Sequence, residues 1–99
     1  MIELNEREGR ALTMAIGGDP DMPRTRATEA EIRKAAEILE SCGRQLADDP
    51  NDAGDGMLCL DGARLMRNLL PFAAAENFVR SVSAYTRHLD CGQNVDIVA

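Results

Sequence analysis

TEAEIRKAAEILESCGRQLA, residues 28–47, decides the fold. Within it Ile32, Ala35, Ala36, Leu39, Cys42 and Leu46 recur at helical spacing, and Ala75, Phe78, Val79, Val82, Tyr85 and Leu89 repeat the same offsets later in the chain. At 3.6 residues per turn each set lies on one side of a helix, leaving Arg33, Lys34, Glu37, Glu40 and Arg44, or Glu76, Arg80 and Arg87, mostly on the other. Thr28 with Glu31 forms a capping box directly ahead of the first stripe, so a helix is predicted over about 29–47. Both segments are built to pack against something. The residues along the two stripes differ, so the match reflects helix geometry and is no sequence repeat.

Outward from this stretch the punctuation is regular. Asn5 with Glu8 makes a second capping box, and Leu12, Ala15 and Ile16 precede Gly17-Gly18, which predicts a short helix over about 6–16. Residues 17–27, with Pro20, Pro23, Asp19 and Asp21, read as an irregular surface connection. Asp48 to Gly56 concentrates Asp, Asn, Gly and Pro and reads as a loop. Leu58, Cys59, Gly62, Leu65, Met66, Leu69 and Leu70 then give a wide apolar face that ends at Pro71, where a helix must break or kink. A last helix is predicted over about 72–90 with Gly92 as its stop, followed by a tail too short to assign. The expected fold is all-α: one domain over residues 1–99, a compact bundle of three to five helices, with the two long stripes packed against each other and the kinked helix between them.

Seventeen acids against eleven bases give a formal charge of −6. Glu3–Arg7, Glu6–Arg10, Glu29–Arg33, Glu40–Arg44 and Glu76–Arg80 are spaced i, i+4 with the acid first, which suits solvated helix faces. Asp48, Asp49, Asp52, Asp55 and Asp61 share a stretch with no Lys or Arg, the most acidic of the chain. These five are the candidate partner-binding residues, a surface suited to a basic protein and poorly suited to phosphate. Arg24 with Arg26 and Arg64 with Arg67 are the close pairs of bases outside the long helix. The acidic balance opposes the counterion release that drives nucleic-acid binding, so direct contact with DNA is disfavoured.

No motif of catalysis or cofactor binding emerges. Cys42, Cys59 and Cys91 lack CxxC spacing; with His88 they complete a set of zinc-compatible ligands, but packing is the simpler reading of a Cys on an apolar stripe. His88 beside Cys91 or Tyr85 lacks an orienting acid and an oxyanion donor, and it serves more simply as a cation near a helix C-terminus. The Asp- and Gly-rich segment fails the calcium-loop pattern in both registers, because Ala53 falls on a ligand position whether Gly54 or Gly56 takes the invariant glycine place. No cofactor, metal or enzymatic activity is therefore expected. The absence of a signal-like start and of an apolar run of ~18–20 residues points to a soluble, cytoplasmic protein. Few aromatic residues and the wide face from Leu58 to Leu70 make self-association as a homodimer a further expectation.

In size and charge the chain is similar to phage inhibitors of host defence complexes, including anti-CRISPR proteins; the similarity is one of type and rests on no matched stretch. With the abundance of Arg over Lys, it implies a small acidic interaction module, an inhibitor or adaptor of phage or bacterial origin. Two alternatives stand beside it: a small dimeric DNA-associated regulator using the Arg pairs, and a metal-stabilised or catalytic bundle using His88 and the cysteines.

Overall fold

The computed structural model describes residues 2–19, 21–68 and 76–89. Among them the elements run β1 (Ile2–Glu3), α1 (Glu6–Ile16), β2 (Arg26–Ala27), α2 (Glu29–Ala47), α3 (Ala53–Arg67) and α4 (Glu76–Thr86), an all-α bundle of four helices with one minimal strand pair. No helix of the described residues is long and apolar enough to cross a membrane.

The first two helices begin where their caps place them. Asn5 Oδ1 accepts from the Glu8 N–H at 2.8 Å while Glu8 Oε1 accepts from the Asn5 N–H at 2.9 Å. Thr28 and Glu31 make the same reciprocal pair at 3.2 and 2.9 Å. The Thr28 N–H bond is the main reason the Glu31 carboxyl is held below its ordinary range. Each box satisfies two amide groups that the first turn of a helix leaves without partners.

The stripe of α2 is the centre of the core: Ile32, Ala35, Ala36, Leu39, Cys42 and Leu46 are all buried. On α4, Phe78, Val82 and Tyr85 are buried and Val79 is half-buried, whereas Leu89 lies beyond the helix and is exposed; Ala75 falls outside the described residues. The stripes meet less directly than expected. The main neighbour of α2 is α3, and α4 packs on α3 and α1 with little contact to α2.

Three boundaries depart from the sequence reading. The loop expected over 48–56 is shorter, because α3 begins at Ala53 and takes Gly54 and Gly56 into its first turns. Gly56 is a packing residue: a Cβ there would stand 2.7 Å from the Ala47 amide nitrogen, and one on Gly43 would stand 2.9 Å from the Gly56 carbonyl oxygen. Backbones that approach this closely require glycine, so what reads as a helix breaker is the seam between α2 and α3. The second departure is the antiparallel pair Ile2↔Ala27 and Glu3↔Arg26, whose second strand closes the stretch expected to be irregular; two residues per strand are too few for an alternating pattern to register. Third, α4 ends at Thr86, short of the expected residue 90: the chain tightens there, the His88 N–H donating three residues back to the Tyr85 carbonyl at 2.8 Å, and the Arg87 and His88 side chains reach Asp55 of α3. The expected break near Leu70, the start of the last helix at 72–75, Gly92 and the tail from Gln93 lie outside the described residues.

Candidate partner-binding site

The turn between α2 and α3 carries the acidic stretch and is fixed by its own backbone. The Asp49 N–H donates to the Leu46 carbonyl at 3.0 Å, the Asp52 N–H to the Asp49 carbonyl at 3.0 Å, and the Asn51 N–H to Asp49 Oδ1 at 2.9 Å. This last is the local side-chain bond that favours Asp in turns. Asp48 and Asp49 are exposed on this turn and meet no cation among the described residues.

The other three candidates are placed differently. Asp55, in the first turn of α3, receives Arg87 Nη2 at 2.8 Å on Oδ1, with Nε at 3.4 Å from Oδ2; His88 Nε2 lies 3.1 Å from Oδ2. Asp52 Oδ1 stands 3.8 Å from the same His88 nitrogen. Asp61 pairs with Arg64 at 2.9 Å along α3. The stretch lacks bases in sequence but not in space, so the bare acidic surface contracts to Asp48 and Asp49, with Asp52 at its edge. The Arg87 hydrogen bond, assisted by His88, holds the Asp55 carboxyl below the ordinary range against a weaker desolvation effect, and Asp55 in turn raises Arg87.

A depressed carboxyl stabilises the fold at neutral pH, and its contribution is lost as the pH falls through the lowered value. Arg87→Met is therefore expected to cost no more than about 1 kcal/mol at neutral pH, as for other solvent-facing pairs. It should also narrow the gap between urea midpoints at pH 7 and pH 3. An unchanged gap would remove the Asp55–Arg87 pair from the acid response.

The ring of His88 thus faces Asp55 and Asp52. Cys42 is fully buried with Sγ 3.7 Å from the His88 carbonyl oxygen, and Cys59 is buried with Sγ 3.7 Å from that of Ser81. Cys91 lies outside the described residues, among which no group of three or more His, Cys, Asp and Glu side chains is placed to hold a metal. The Arg pairs are drawn to carboxylates: Arg24 to Glu31, Arg64 to Asp61, and Arg67 to Glu40, which Arg44 also meets. Arg26 is exposed on β2. Glu40 with its two guanidinium partners, Glu37, Ser41 and Gln45 line a surface cleft of about 340 Å³ between α2 and α3.

Arg87 is the residue the sequence does not reveal at this site, since it stands 32 positions from Asp55 and no local spacing joins them. No family model, curated protein or solved structure matches the chain.

Proposed function

We propose that the chain is a non-enzymatic protein-binding module, an inhibitor or adaptor of phage or bacterial origin, which meets a basic surface of its partner through the turn between α2 and α3. The observation that carries this reading is the pair Asp48 and Asp49: exposed carboxylates that meet no cation among the described residues, on a turn held by hydrogen bonds. A pre-ordered turn loses little conformational freedom on docking. Carboxylates of one sign at its tip steer a positively charged partner and suit a surface that otherwise meets nucleic acid. A nucleic-acid-binding complex is the partner class that fits, which is the mode of an anti-CRISPR-type inhibitor.

The test is comparative capture. The immobilised chain and its Asp48→Asn/Asp49→Asn variant are exposed to a bacterial lysate and eluted with salt. The expected result is a basic protein retained by the native chain and lost from the variant. Equal retention by both would move the interface away from this turn.

A further inference from the structure

Arg7, Arg10, Ala11 and Met14 stand at offsets 0, 3, 4 and 7 on α1 and so share one strip of that helix. On α4, Val79, Val82 and Ser83 do the same at offsets 0, 3 and 4. Where the two helices pack, these side chains line an open groove of about 160 Å³. Ala11 and Val82 are buried and form its floor, Val79 is half-buried, and Met14 is 39% exposed. Both charged residues of the lining are Arg, in a chain whose net charge is −6. They occupy the half of the strip nearer the start of α1, and Met14 stands about 10 Å beyond Arg7 at 1.5 Å per residue. The groove is therefore polarised along its length, cationic at one end and apolar at the other.

The guanidinium donors at the cationic end can be shared. Arg10 Nη2 meets Glu6 at 3.2 Å, but the two side chains are 51% and 78% exposed, and a pair so open to water contributes little. A guanidinium has five N–H donors in a fork that matches a carboxylate, so one ion pair leaves donors for a second acceptor. The methylene stems of Arg7 and Arg10 also add apolar wall beneath their charged ends.

We infer that this groove binds a medium-chain fatty acid, its carboxylate at Arg7 and Arg10 and its alkyl chain laid over Ala11, Val79 and Val82 toward Met14. Sites for small ligands combine a mostly apolar lining with a few polar groups that fix orientation. The unbranched thioether of Met14 adapts to an alkyl chain. The volume limits the chain length, since 160 Å³ holds only about five waters at about 30 Å³ each. That is too little for a long-chain acid or for the two tails of a phospholipid. The acidic balance of the whole chain repels anions at long range, so recognition of the head group falls to the two local guanidiniums. The inference goes beyond the protein-binding reading and uses none of its residues.

The test is a titration of the nitrogen-15-labelled full chain with octanoate, octanol and acetate, read from amide chemical shifts at ligand concentrations below the onset of micelles. Octanoate is expected to shift the amides of Ala11, Met14, Val79, Val82 and Ser83 and to saturate. Octanol should shift the same amides with a Kd at least severalfold higher, and acetate should leave them in place. Arg7→Gln/Arg10→Gln should raise the octanoate Kd at least severalfold, to the level of octanol, while octanol binding stays as it was and reports that the groove is intact. The comparison of the three ligands on the native chain tests the head-group assignment independently of that variant. Shifts that do not saturate or that scatter away from the groove would overturn the inference. So would octanol or acetate matching octanoate, or an octanoate Kd indifferent to the Gln pair.

Discussion

Leu39→Ala is expected to destabilise the protein by about 2–5 kcal/mol, the range for truncating a fully buried leucine. Leu39 has no exposed surface and lies on the stripe of α2; its Cδ1 would stand 3.4 Å from a Cβ placed on Gly62 of α3. The cavity would therefore open between the two helices that pack most extensively, where the close backbones leave little room to collapse. Against a total stability of about 5–15 kcal/mol for a domain, such a loss can unfold much of the population at 37 °C. Equilibrium urea denaturation measures it. A loss under about half a kcal/mol would place Leu39 outside the core.

Gly9→Ala carries the second largest expected effect, and its sign is opposite to that of an ordinary helix substitution. In an open helix position, alanine is favoured over glycine by up to about 1 kcal/mol. At Gly9 the new methyl group would fall on the Arg24 carbonyl oxygen and 2.9 Å from its carbon, both backbone atoms that cannot rotate aside. The segment must move off α1, loosening the Arg24–Thr13 and Leu4–Thr25 hydrogen bonds. Overpacking of this kind costs about 1–3 kcal/mol. Gly54→Ala is the control, since a Cβ there meets nothing within 4 Å, and it should leave stability unchanged or raise it. Thermal melting of the pair decides the matter: equal melting temperatures for Gly9→Ala and the native chain would contradict the contact.

What was legible in the sequence is what depends on neighbours within one helix turn. Asn5 with Glu8 and Thr28 with Glu31 set the starts of α1 and α2 through bonds three residues long, and the stripe of α2 is buried residue for residue. Gly56 misled because a glycine required by tertiary approach looks, in sequence, like one required by a turn. The acidic surface misled for a related reason. Asp55 has no base nearby in the chain, and its partners Arg87 and His88 arrive from the end of α4. Asp48 and Asp49, placed where the chain changes direction, are the two of the five acids that stay exposed and meet no cation among the described residues. The anchoring of the connection between α1 and β2 leaves no mark in the local sequence, since it runs from Arg24 and Thr25 to Thr13, Glu31 and Leu4, each distant along the chain.

The proposed steering of a basic partner by the turn between α2 and α3 is measured by stopped-flow association with the captured protein over a range of salt concentrations. The native chain should associate fast at low salt and slow steeply as salt rises, while Asp48→Asn/Asp49→Asn should associate at least severalfold more slowly at low salt with a shallower salt dependence. Identical rates and identical salt dependence for the two proteins would contradict the claim.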